Sequence, residues 1–335
     1  MLYWNRLSRS VGSVNNPAKL FYSIQYLGFM AGFGLTSTIL LSLWGAIAIY
    51  SERQAYWQSA QEYLWDKLVQ NYAALPQENS DFLNQIAQES GLSEQAKITV
   101  CNLKNDCRSL RGDEPPTSVA SLMKVPIAEA LLHKVNYQKI NLNTLIYISE
   151  GNFTEDASDL AVEQNYTLGQ LLSETIVNSS NIAPNQLIDY LGRDYINQML
   201  QNRGYRETRV NAKFIGDISV PEDVGEELNH STSNEITKMM VQIYNRQHPG
   251  DDLLIALLGE QHDQELGFAA LEGSPAKWLG EKTGQNSWVL GTTLAMEIAE
   301  NKYIVTVIDD GFYSDMAIRD AIAKIAEYIA REGHL

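Results

Sequence analysis

Cysteine is scarce, with only Cys101 and Cys107 in 335 residues, too few for disulfides to replace a hydrophobic core. Histidine is nearly as scarce. His133, His230, His248, His262 and His334 are scattered, with no metal-ligand spacing and no companion motif, so no metal is expected. No glycine-rich phosphate loop and no dinucleotide fingerprint occurs, and no organic cofactor is expected. Basic residues are outnumbered, 25 against 41 acidic, for a net charge of -16. All 41 acids and 22 of the 25 bases lie beyond residue 50. A body that acidic repels a phosphate backbone, so nucleic acid is not an expected partner. Internal repeats and low-complexity tracts are missing too.

What the chain does have is one long uncharged run, residues 27–50. Its 24 residues suffice to cross a bilayer at helical rise. Arg6, Arg9 and Lys19 precede it and Glu52 is the first acid after it. That asymmetry predicts a cytoplasmic N-terminus and an exported body. The expected order is a cytoplasmic segment over 1–26, a single transmembrane helix over 27–50, a helical stalk over 51–78 and a catalytic body over 79–335. The alternative is a cleaved signal at Ala46-Ile47-Ala48, although the run is long for one. In either case the body faces the periplasmic or extracellular side of the cell membrane. Export permits oxidation, and Cys101 and Cys107 flank the turn 104–106 between two strand-like pieces. A disulfide across that hairpin is expected, with a pair of free buried thiols as the alternative.

Periodicity beyond the stalk predicts a short helix at 81–89 and a hairpin at 97–111. Helices follow at 121–134, 167–178, 181–191, 195–202, 235–246 and 252–258. Residues 205–230 read as a long loop of the kind that often carries function. The end changes character, to strands at 278–284, 288–297 and 303–308 and a closing amphipathic helix at 317–331. Strands at both ends of the body with helices between them predict an α+β fold, one sheet built from the two termini plus an all-helical lobe.

Three short motifs carry chemistry. Ser121-Leu122-Met123-Lys124 opens an apolar helix. Spacing of i, i+3 sets the lysine amine on the serine's face, and burial would weaken the lysine's hold on its proton and make it a base. Free N–H groups at a helix start stabilise an oxyanion. The pattern alone is weak. A serine before a helix is usually a cap, and Ser274-Pro275-Ala276-Lys277 matches with no helix behind it. Ser179-Ser180-Asn181 lies between two apolar helices, where a cap is again the bland reading. Lys282-Thr283-Gly284 lies on a strand, where the lysine and threonine can hold a carboxylate and the glycine lets a substrate backbone approach the strand edge. An edge-strand gatekeeper lysine is the bland alternative there.

In that order the three motifs resemble those of class A β-lactamases and penicillin-binding proteins, the class A branch most closely, over about residues 95–333. The resemblance implies a five-stranded antiparallel sheet flanked by helices, packed against a helical lobe, with the site in the crevice between them. It implies Ser121 as the acylated nucleophile, Lys124 as its proton acceptor and Ser179 as the relay to the leaving nitrogen. Asn181 would contact the substrate side chain. Lys282 and Thr283 would bind its carboxylate beside Gly284, and the N–H groups of Ser121 and Gln285 would form the oxyanion hole. Two departures stand out. Ser180 stands where class A usually has Asp. The loop also lacks a clean copy of the glutamate segment that activates the deacylating water: Glu226-Glu227-Leu228-Asn229 comes nearest, with Gly225 at the glutamate position. Glu207, Glu222 and Glu226 are the candidate bases. The expected activity is β-lactam amide opening, slow where no base is held in place. A peptidoglycan D-alanyl peptidase is the enzymatic alternative. A degenerate homologue that binds wall peptide or a protein is the other. The expected partners are a small-molecule β-lactam or peptidoglycan peptide, and the membrane.

Overall fold

Asn102 shapes the first hairpin, its Oδ1 accepting from the N–H groups of Lys104 and Asp106 at 2.8 and 3.1 Å in the manner of an Asx turn. The hairpin joins β1 (Lys97–Asn102) to β2 (Cys107–Leu110). Cys101 pairs with Cys107 in register, with 4.1 Å between their Cα atoms, and the two are disulfide-bonded. The structure, a computed structural model, describes residues 80–155 and 158–335. The expected membrane span 27–50 and stalk 51–78 lie outside the described residues. Among the described residues no helix is long and apolar enough to cross a membrane.

The last third of the chain supplies β5 (Lys277–Asn286), β6 (Val289–Ile298) and β7 (Asn301–Asp309). β7 pairs with β1, so the sheet order is β2-β1-β7-β6-β5, antiparallel throughout. β6 is buried along nearly its whole length, as a strand covered on both faces must be. α1 (Asp81–Ser90) and α9 (Asp315–Glu332) pack together. α9 covers one face with Ile318, Ile322, Ile325 and Ile329, all buried. α6 (Ser233–Tyr244) packs on the sheet at β7 and β1. Buried hydroxyls meet there in pairs: Thr237 donates to Thr306 at 2.7 Å, Thr306 and Thr293 lie 2.8 Å apart, and Thr99 and Ser233 2.8 Å apart.

α2 (Lys124–Gln138) is the axis of the helical lobe. It is buried on every side from Lys124 to Leu132, which marks a central helix rather than an amphipathic one. α3 (Leu168–Ile176), α4 (Ile182–Leu191) and α5 (Arg193–Asn202) surround it. α7 (Asp251–Leu258) packs against α6 and β5.

Two details differ from the sequence expectation. The helix expected from residue 121 begins at Lys124, because Ala120–Met123 forms a tighter 3-10 turn. Pro126 has no N–H to give and is accommodated in the first turn of α2, where none is needed. Three short elements went unpredicted: β3 (Leu145–Tyr147) paired with β4 (Asn165–Thr167), and α8 (Gly267–Leu271). Each is three to five residues long, too short for its period to register.

Candidate active site

The segment leading to Ser121 is fixed before the nucleophile turn begins. Asp310, just past β7, pairs with the buried Lys97 at 2.5 Å and accepts from the N–H and hydroxyl of Thr117 at 2.7 and 2.9 Å. Asn286, at the tip of the β5–β6 hairpin, donates to Ser118 at 3.0 Å. Ala120 then takes a φ of 43° and Ser179, on the facing turn, a φ of 55°. Both are left-handed conformations that a non-glycine residue holds only when its surroundings enforce them.

The three motifs converge. Lys124 Nζ lies 2.8 Å from Ser121 Oγ, 2.6 Å from the Ser179 carbonyl, 3.2 Å from Ser179 Oγ and 2.9 Å from Asn181 Oδ1. From the other side, Lys282 Nζ donates to Ser179 Oγ at 2.9 Å and to the Thr283 carbonyl at 3.0 Å. Ser179 Oγ therefore bridges two lysines that are both fully buried. Burial pushes Lys282 down to about 8, against the pull of the Asp263 and Glu281 charges. Gly284 draws β5 against the nucleophile turn: a Cβ there would lie 3.0 Å from the backbone nitrogens of Ser121 and Leu122. The neighbouring Gln285 is exposed. Ser180 is buried, and its hydroxyl accepts from Ala183 N–H at 3.2 Å, capping α4.

The loop 205–230 does not bring its candidate carboxylates to Ser121. Glu207 sits by the bridge between Arg209 and His230, its carbonyl in contact with His230 Nδ1 at 2.6 Å. Glu222 packs on Gly151. Glu226 is exposed. Gly225, read from sequence as the glutamate position, instead stacks on Asn211 and Ala212, where a Cβ would collide with the Asn211 carbonyl. The loop residue that faces the site is Phe214. Its ring centroid lies 4.8 Å from Lys124 Nζ. Its backbone is clamped by the buried Asn185 of α4, which accepts from the Phe214 N–H at 2.7 Å and donates to its carbonyl at 2.8 Å. Among the described residues, the side-chain partner of Ser121 Oγ is Lys124 alone.

Two further residues escape sequence reasoning. Gln261, fully buried, donates to Thr283 Oγ1 at 2.9 Å and accepts from the Thr283 N–H at 3.2 Å. Asp263 Oδ2 accepts from Thr283 Oγ1 at 2.6 Å. A lone Gln or Asp in a loop carries no spacing that could mark it. Glu281, next to Lys282, is also buried. It accepts from Thr292 and from the N–H groups of Gly267 and Phe268 at the start of α8, and burial raises its carboxyl to about 7. Among the described residues no group of three His, Cys, Asp or Glu side chains is positioned to hold a metal ion.

A hydroxyl beside a buried amine, with a second hydroxyl shared between two lysines, can add to a carbonyl and pass a proton to the departing atom. Residues 76–332 match the family described as the beta-lactamase enzyme family. The fold is shared with the beta-lactamase of Sphaerobacter thermophilus DSM 20745, at 20% identity and a TM-score of 0.64, over 75% of this chain and 97% of that one. PBP-A is similar at 20% identity and a TM-score of 0.65, over 77% and 100%. An ancestral class A beta-lactamase, GNCA, is similar at 21% identity and a TM-score of 0.62, over 76% and 99%. A mutant of PBP-A has been seen as an acyl-enzyme complex with penicillin G. No curated protein sequence matches the chain.

Proposed function

The chain belongs to the beta-lactamase enzyme family, and from that premise we propose that it is a serine acyl-enzyme hydrolase of the class A type that opens β-lactam amides and releases them slowly. The observation that carries the reading is the 2.8 Å contact between Lys124 Nζ and Ser121 Oγ, at the head of a chain that runs through Ser179 Oγ to Lys282. Two of the oxygens around Lys124 are carbonyls, of Ser179 and Asn181, which only accept. The other two are hydroxyls, which can donate as well. A neutral amine has two N–H groups and one lone pair. With its N–H groups on the carbonyls, its lone pair faces a hydroxyl, which is the arrangement a general base requires. Ser121 Oγ attacks the carbonyl as Lys124 takes its proton. Ser179, held between the two lysines, delivers a proton to the leaving nitrogen.

Slow release follows from Phe214. Water attack on the acyl-enzyme needs a base, and an aromatic ring occupies the loop's approach to Lys124. The same feature favours a second reading, a penicillin-binding D-alanyl peptidase acting on peptidoglycan, whose β-lactam adducts would persist in the same way. Both readings suit a body held outside the cell by residues 27–50.

Incubation of the full chain with benzylpenicillin and peptide mass spectrometry is expected to show an adduct on Ser121, lost in Ser121→Ala, with a lifetime of minutes or longer. An adduct on another residue, or none at any concentration, would end the acyl-enzyme reading. Loss within seconds would end slow release. Alkaline extraction of membranes should leave the chain in the pellet; release into the supernatant would rule out the anchor.

A further inference from the structure

The end of the crevice that carries Lys282 and Thr283 holds a carboxylate of its own. Thr283 Oγ1 has one proton, and it is given to Asp263 Oδ2 at 2.6 Å. The same oxygen accepts from Gln261 Nε2 at 2.9 Å. The bracket is built rather than casual. Gln261 is fully buried, and besides Thr283 it reaches the Asp263 carbonyl at 2.9 Å. Asp263 itself is exposed, so its charge faces whatever enters. Lys282 is directed at Ser179 Oγ and the Thr283 carbonyl, and the charges that act on it are those of Asp263 and Glu281. The adjoining strand β6 carries no lysine or arginine from Val289 to Ile298.

A free carboxylate docked on Lys282 and Thr283 would thus meet a hydroxyl whose proton is committed, a lysine whose N–H groups are directed at Ser179 Oγ and the Thr283 carbonyl, and a second carboxylate beside it. A hydrogen bond to a charged group counts for about ten- to a hundredfold in affinity, and a like charge at contact opposes it further.

We infer that Asp263 sets specificity by turning this end of the site away from free carboxylates, so that the favoured acyl donors are amides whose leaving side is uncharged, such as an internal peptide amide or an ester-masked β-lactam. This rests on the acylation reading above. The covalent step is unchanged: the Ser121 Oγ–carbonyl bond forms, the carbon–nitrogen bond breaks, and the serine proton ends on the leaving nitrogen.

The test compares the full chain with Asp263→Asn, which keeps the side chain's shape and its acceptor oxygen while removing the charge. The probes are benzylpenicillin and benzylpenicillin methyl ester, and the readout is the second-order rate of Ser121 labelling by intact-mass spectrometry. The substitution is expected to raise the acid-to-ester ratio of labelling rates about tenfold. The ratio between the two proteins cancels the intrinsic reactivities of the probes, and the ester rate reports that the variant is folded. Ionic strength of about 1 M, which shortens screening to ~3 Å, should speed the acid and not the ester in the wild type. An acid-to-ester ratio left unchanged by the substitution overturns the inference while acylation stands. Absence of labelling by both probes overturns the acylation reading and this inference with it.

Discussion

Phe214 is the residue on which slow release of the acyl-enzyme rests in the proposed reading. Its ring stands 4.8 Å from the Lys124 amine on a backbone held at both polar groups by Asn185. Phe214→Glu keeps that clamp and sets a carboxylate where the ring was, beside Lys124. Deacylation of the benzylpenicillin adduct should then accelerate by about a hundredfold to ten-thousandfold, the range general-base assistance supplies. Phe214→Leu should leave the adduct long-lived. Equal lifetimes in the wild type and the glutamate variant would mean that the loop does not limit release. Ser121 and Lys124 were legible in the sequence because they lie three residues apart in a short motif that two further motifs accompany, and a single turn of 3-10 or α-helix sets residues at that spacing on one face. Phe214 was not, nor were Gln261 and Asp263. Their neighbours are distant in the chain, and no local pattern says which loop residue a clamp such as Asn185 will hold. Glu207, Glu222 and Glu226 were named as loop candidates for the glutamate segment that the resemblance implies, and in the structure Glu207 lies beside His230, Glu222 packs on Gly151 and Glu226 is exposed.

At the scale of elements, the site depends on β5 lying against the nucleophile turn. Gly284 permits that approach, since a Cβ would sit 3.0 Å from two backbone nitrogens. Neither side yields easily. β5 is hydrogen-bonded to β6 along its length, and the turn is pinned through Thr117 to Asp310. Gly284→Ala is therefore expected to shift the Ser121 N–H by a few tenths of an ångström and to cut the acylation rate about tenfold. Thermal unfolding should move little. Wild-type acylation in this variant would show that the contact is loose. The same elements mark what sequence patterning could convey. Strands β5, β6 and β7 run nine or ten residues and helix α9 eighteen, long enough to register, and were expected where they occur. The register that places Gly284 beside Ser121 was not legible, because it follows from β7 inserting between β6 and β1.

Across the whole molecule the acidic charge is dispersed, but one buried acid couples stability to pH. Glu129 lies in the core face of α2, 2% exposed. Arg203 Nη1 is 3.1 Å from its Oε1. Burial outweighs that partner and raises the carboxyl to about 8. Unfolded, the group ionises near 4.5; folded, it keeps its proton through neutrality. Between those values the native state binds more protons, so its stability falls as pH rises. His133 and His248 act in the opposite sense, since burial lowers both and their unfolded forms release a proton near 6.5. Glu129→Gln, which does not titrate, separates the two contributions. From pH 6.5 to pH 8 the wild type should lose about 1–2 kcal/mol more than the variant, read as a difference in the pH slope of Tm. Parallel slopes would mean that Glu129 is ionised and paired with Arg203 throughout. The lobe that carries Lys124 would then be held at that point by a buried ion pair, and removal of one partner would cost about 3–5 kcal/mol at every pH.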